Sequence, residues 1–138
     1  MQQPSLYLVS ACLVGLSCRY DGQSKPNLAC LQALENSCWI PFCPEQLGGL
    51  PTPRPAAELT GGDGHRVLQG QAQVLCRNNQ KDISQAFIRG ARETLLLAGS
   101  QPITAVFLKS RSPSCGVSSP RGVTAALLAE HGFSLREF

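Results

Sequence analysis

Cys12, Cys43 and Cys115 each follow an apolar run, in Leu-Tyr-Leu-Val-Ser-Ala-Cys, Trp-Ile-Pro-Phe-Cys and Ala-Val-Phe-Leu-Lys-Ser-Arg-Ser-Pro-Ser-Cys. If the runs are parallel strands of one sheet, the three thiols emerge at a single carboxyl edge, where open α/β sheets build their sites. Three converging thiolates with no fourth partner placed alike describe a metal or cluster centre with a vacant coordination position. The spacing lacks the close Cys-x2-Cys pairs of zinc ribbons and the crowded ligand run of ferredoxins. A redox or nucleophilic thiol with coincidental neighbours is the competing reading.

Two further groups belong to the same loops. Glu45, two residues past Cys43, is expected to project into the pocket, where a carboxylate can take a proton from water; its bland alternative is a loop salt bridge with Arg54. Ser112, three residues before Cys115, could donate a hydrogen bond to a substrate heteroatom or merely shape the turn at Pro113.

The remaining cysteines read differently. Cys30 lies on the apolar side of a helix and is expected in the core, because buried cysteine packs as a small hydrophobe. Cys76 and Cys38 are expected to be structural, and Cys38 in particular to pack. Cys18 shares the loop of Cys12 and stays open as an additional ligand. His65, in a glycine-rich turn, and His131, at a helix end, are expected to be structural.

The elements that must hold these groups follow from periodicity. Leu6–Ser10, Trp39–Phe42 and Ile103–Leu108 read as strands, and Phe133–Arg136 as a last one. Leu28, Leu31, Ala33 and Leu34 recur at helical spacing after Pro26-Asn27. Asp82 or Ser84 caps a second helix whose face is Ile83, Phe87, Ala91, Leu95 and Leu96. Thr124–Glu130 forms a third helix that ends at Gly132. Pro44–Thr60 is expected to be irregular, and Arg66–Leu68 with Ala72–Leu75 to form a short hairpin or two edge strands. The order predicts one domain over residues 1–138, an α/β three-layer sandwich with a mostly parallel, Rossmann-like sheet.

Composition narrows the class. The chain has 138 residues, 43% hydrophobic and 15% charged, which describes a globular core. A net charge of +3 with scattered basic residues indicates no dedicated nucleic-acid surface. No run reaches the ~18 apolar residues that span a bilayer, and Met-Gln-Gln-Pro-Ser lacks the pattern of a secretory signal. A cytoplasmic location is therefore expected. There, seven cysteines argue for metal or thiol chemistry over disulfides.

Three blocks in order resemble the thiouracil desulfidase family: Ser10-Ala11-Cys12-Leu13-Val14-Gly15 through Cys18-Arg19-Tyr20-Asp21-Gly22; Cys43-Pro44-Glu45 with Gly48-Gly49-Leu50-Pro51-Thr52-Pro53-Arg54; and Lys109-Ser110-Arg111-Ser112-Pro113-Ser114-Cys115-Gly116. The resemblance extends through Gly61-Gly62-Asp63-Gly64 and Gly122–Leu128 to nearly the entire chain. It implies a [4Fe-4S] cluster held by Cys12, Cys43 and Cys115, with one iron free of protein ligands, and catalytic roles for Glu45 and Ser112. It implies removal of sulfur from a thiolated uracil without net redox change. Larger relatives that act on thiolated tRNA carry a second domain; with none attached here, a small thiolated pyrimidine, free base or nucleoside, is the expected substrate. The terminal strand is expected to be short. A cluster-bearing sensor or electron-transfer module is the alternative from another functional class.

Overall fold

The computed structural model describes residues 4–138. Four parallel strands, β1 (Leu6–Ser10), β2 (Cys38–Phe42), β5 (Ala105–Leu108) and β6 (Leu135–Glu137), form one sheet in the order β2-β1-β5-β6. Leu8 stands opposite both Ile40 and Val106, so β1 is hydrogen-bonded on both sides. The side-chain period of two sends successive residues to opposite faces. Val9 and Phe107 meet Cys30 and Leu34 on one face. Leu8, Val106 and Leu108 meet Ala98, Ala125 and Leu128 on the other. Helix α1 (Leu28–Ala33) thus covers one side, and α4 (Ser84–Gly99) and α5 (Val123–Glu130) cover the other. The expected three-layer α/β sandwich is what forms, because a strand buried on both faces needs apolar partners on both.

Between β2 and α4 the chain leaves the sheet. Helix α2 (Pro44–Leu47) follows β2, and β3 (Ala57–Thr60) pairs antiparallel with β4 (Gln73–Cys76) around α3 (Gly64–Leu68). Here two expectations are corrected. Arg66–Leu68 is helical, not an edge strand: Asp63 accepts a hydrogen bond from the Arg66 N–H at 3.2 Å, capping α3 and burying Val67. The hairpin partner of β4 is instead Ala57–Thr60, drawn from the stretch expected to be irregular. A three-residue apolar fragment is too short to separate a period of two from one of 3.6.

Two smaller corrections concern exposure. Leu96 points to solvent while Phe87 and Ala91 are buried, so the apolar face of α4 does not extend to it. Cys38 opens β2 at the edge of the sheet and is exposed, not packed. At the start of α4, Asp82 accepts from the Ser84 N–H at 2.9 Å, and Ser84 Oγ accepts from the Val74 N–H at 2.8 Å, tying the helix to β4.

Helices α2 and α4 touch backbone to backbone. A Cβ on Gly90 would collide with the Pro44 carbonyl, and one on Gly48 with the Ala86 carbonyl. Gly90→Ala is therefore expected to destabilise the fold by about 1–3 kcal/mol, because overpacking outweighs the ~1 kcal/mol that alanine gains in a helix. Denaturant titration measures it, and a variant as stable as the parent would contradict the close approach.

Candidate functional site

Each loop that leaves the carboxyl end of β1, β2 or β5 turns sharply and presents a thiol. After β1, Ser10 leads into a 3-10 turn, Ala11–Val14, which carries Cys12. Gly15 closes that turn at φ +96°, a conformation open to glycine but strained for other residues. After β2, Cys43 is the residue before the first turn of α2, and Pro44 takes the first helical position, where its missing N–H is not needed. After β5, Ser112 Oγ accepts from the N–H groups of Ser114 and Cys115 at 3.2 and 3.1 Å, folding Ser112–Gly116 into a tight turn. The carbonyls of Pro113 and Ser114 in turn accept the first N–H groups of α5.

The sequence-predicted residues Cys12, Cys43, Glu45, Ser112 and Cys115 all line one cavity of about 340 Å³. That volume is at the small end of ligand pockets, roughly 300–1,000 Å³. It opens where the chain direction across the sheet reverses, between β1 and β5. Ser10 locks the two strand ends together: its Oγ accepts from the Lys109 N–H at 3.3 Å and donates to Cys115 Sγ at 3.4 Å.

Cys18, left open by the sequence, lies in the same cavity and is buried. Its thiol faces those of Cys12 and Cys43, and its carbonyl accepts from Cys43 Sγ at 4.0 Å. The hydrogen bond from Cys18 lowers the Cys12 pKa, against burial and the nearby Cys115 and Cys43. Burial raises Cys115 to about 12, only partly relieved by hydrogen bonds from Ser10 and Ser114. Cys43 is raised chiefly by its hydrogen bond to Cys18, and Cys18 chiefly by its bond to Cys12. Thiols packed this closely resist ionising together.

Glu45 is held at both oxygens. Arg54 Nε donates to Oε1 at 2.9 Å, and Ser114 Oγ donates to Oε2 at 3.0 Å. The salt bridge with Arg54, the alternative reading of Glu45, is therefore present, inside the cavity and not on a solvated loop. The Arg54 side chain is 5% exposed and directs donors to the Pro51 carbonyl, Thr52 Oγ1, the Cys18 carbonyl and Cys43 Sγ as well. All five guanidinium N–H groups are thereby used, and one side chain joins the loops of Cys18, Cys43 and Glu45. Arg19, Arg77, Lys109 and Arg111 also line the cavity, in which Glu45 is the single carboxylate.

Other residues fall outside the cavity. Cys30 is fully buried beneath β1, where burial pushes its thiol up to about 11. Cys76 is buried in β4. His65 pairs with Glu130 at 2.8 Å, and His131 bonds the Leu127 carbonyl at 3.0 Å. Sequence reasoning passed over Ser10, Ser114 and Lys109. Only their place in the blocks around Cys12 and Cys115 hinted at them, because serine and lysine carry no spacing signal. No helix among the described residues is long and apolar enough to cross a membrane.

Comparison with known proteins agrees with this fold. An uncharacterised protein of Bacillus subtilis (strain 168), YbbK, is 36% identical over 140 residues, spanning 93% of this chain and 92% of its own. A solved structure described as the [4Fe-4S]-dependent thiouracil desulfidase TudS is 37% identical and superposes with a TM-score of 0.75, covering 96% of this chain and 90% of that one. The 2-thiouracil desulfurase family matches residues 7–137. On a match that takes in every strand of the sheet and every thiol of the cavity, this chain belongs to the 2-thiouracil desulfurase family.

Proposed function

We propose that this protein removes sulfur from a small thiolated uracil at a [4Fe-4S] cluster held by Cys12, Cys43 and Cys115, with the fourth iron free of protein ligands. The observation that carries the reading is the convergence of these three thiols, Glu45 and Ser112 on one cavity. The donor set fits such a cluster. Soft thiolates suit iron–sulfur centres, and a bound metal deprotonates a coordinating thiol outright, which answers the raised pKa values of Cys43 and Cys115. No three His, Cys, Asp or Glu side chains among the described residues are set to hold one metal ion; in a cluster each thiolate takes its own iron.

When bound, the cluster supplies a Lewis-acidic iron for the soft thiocarbonyl sulfur. The protein's residues do the rest. Arg54 and Ser114 fix both oxygens of the Glu45 carboxylate, and Glu45 takes a proton from the water that attacks the ring carbon. Ser112 donates to the heteroatom on which negative charge develops. One water oxygen replaces one sulfur, sulfide leaves, and the carbon keeps its oxidation state.

Protein reconstituted with iron and sulfide under anaerobic conditions is therefore expected to convert 2- or 4-thiouracil, or their nucleosides, to the oxygen base and free sulfide in equal amounts with no added reductant. Chromatography of the base and a colorimetric sulfide assay read both products. A stoichiometric requirement for an electron donor would overturn hydrolysis. An intact cluster without turnover on any of these substrates would favour the sensor or electron-transfer reading, which has no use for Glu45.

A further inference from the structure

Ser114 has no role in the reaction as drawn so far beyond holding one carboxylate oxygen, yet its surroundings are unusual. It is 2% exposed, and its hydroxyl sits between the two groups proposed to handle protons: 3.0 Å from Glu45 Oε2 and 2.9 Å from Ser112 Oγ. Its contact with Cys115 Sγ, at 3.7 Å, is the longer one, so a buried side chain with only one O–H and two acceptor sites is joined at once to the base and to the substrate-facing donor.

The donor count fixes how the chain of bonds must run. An ionised carboxylate accepts only, so Ser114 donates to Glu45. That uses the one O–H of Ser114, so across the 2.9 Å contact Ser112 is the donor. Ser112 Oγ also accepts the backbone N–H groups of Ser114 and Cys115 at 3.2 and 3.1 Å, and one of these longer bonds gives way when Ser114 donates to it. At rest the bonds run Ser112 to Ser114 to Glu45. Once Glu45 has gained a proton it can donate, and the two hydroxyls rotate: Glu45 to Ser114, Ser114 to Ser112, and Ser112 outward to the substrate. Hydroxyl rotation is a cheap motion, since the hydrogen turns to suit its partners.

We propose that Ser114 is the positioning residue that couples Glu45 to Ser112, returning to the substrate heteroatom through two hydroxyls the proton that Glu45 takes from water. The inference rests on the roles proposed above for Glu45 and Ser112. The balance closes. The attacking water gives one proton to Glu45 and forms the carbon–oxygen bond as the thiocarbonyl double bond opens; its second proton leaves the new hydroxyl when the carbon–sulfur bond breaks and sulfide departs. Glu45 hands the first proton to Ser114 as Ser114 passes its own to Ser112 and Ser112 passes its own to the heteroatom. Both serines end as they began, the carboxylate is regenerated, and no electron is transferred.

The test compares Ser114→Ala, Ser114→Thr, Ser112→Ala, the Ser112→Ala/Ser114→Ala double variant and Glu45→Gln, all as reconstituted protein. Iron content, visible absorption and the unfolding temperature of each are measured before activity. Ser114→Ala is expected to keep its iron and its absorption, to lose about 10- to 100-fold in kcat, the lower range of acid–base effects, and to hold KM within about twofold. Ser114→Thr, which keeps the hydroxyl, is expected to recover most of the loss. The double variant should fall no further than Ser112→Ala, because members of one relay are not additive.

Ser114→Ala with the parent's kcat, a double variant whose losses multiply, or a Ser114→Ala protein that cannot hold iron would each overturn the relay. The last would make Ser114 a support for the Cys115 turn, and Ser114→Thr would then recover iron and kcat together. Glu45→Gln separates the levels: if it keeps full turnover, the base assignment fails, whereas an inactive Glu45→Gln beside a fully active Ser114→Ala refutes the relay alone.

Discussion

Replacing Glu45 by glutamine is expected to leave the protein brown and folded but to cut turnover by about a hundredfold or more, the effect of losing a general base. The isostere is chosen because of what surrounds the carboxylate. Its amide oxygen can still accept from Arg54 Nε, and its amide nitrogen can face Ser114 Oγ, so the contacts at 2.9 and 3.0 Å survive in kind. Glu45→Ala removes the partner of a nearly buried guanidinium, which typically costs about 3–5 kcal/mol, and would confuse chemistry with folding. Iron analysis and steady-state kinetics on the same preparation separate the two. Loss of the cluster in Glu45→Gln would make the residue a structural support and end its candidacy as the base.

Cys12→Ser, Cys43→Ser and Cys115→Ser are each expected to lose the cluster entirely, seen as colourless protein with negligible iron after reconstitution. A neutral hydroxyl is a poor substitute for a thiolate on iron. The contrast is with the thiols beyond the cavity. Cys30→Ala lies under β1 in the apolar layer, so it should cost about 1 kcal/mol or somewhat more of stability through a small void while keeping its iron. Cys38→Ala at the exposed sheet edge should be within about 0.5 kcal/mol of the parent. Cys18→Ser is the sharpest control. It alters a thiol that faces two of the three assigned ligands but under the three-thiolate reading retains the metal. Iron that survives loss of Cys43, or disappears with Cys30 or Cys18, would overturn the ligand set.

The sheet was readable because its two central strands, β1 and β5, are buried on both faces. Continuous apolar runs such as Leu-Tyr-Leu-Val and Ala-Val-Phe-Leu have few alternatives in a chain of this size, and a junction residue such as Cys12 or Cys43 then has one place to go. Helix α4 was legible for the opposite reason: it is long enough for its period to separate Phe87 and Ala91 from the solvent side. The segment between β2 and α4 was not. Its helices of four and five residues, and a strand at Ala57–Thr60, are shorter than the window over which periodicity carries information. Their conformations come from capping by Asp63 and from the glycine contact of α2 with α4.

Local order in the chain thus determines that three thiols and a carboxylate reach one edge, since a parallel sheet sends every strand's carboxyl end the same way. It does not determine what stands between them. Cys18 enters the cavity because the loop after the 3-10 turn folds back under Arg54, and a loop's path depends on partners distant in sequence. Arg54 became the hub of the site only by finding acceptors on three separate segments. Ser114 meets Glu45 from 69 positions away in the chain. Such contacts are set by packing among elements, where a shift of an ångström makes or breaks a hydrogen bond, and no spacing along the sequence encodes them.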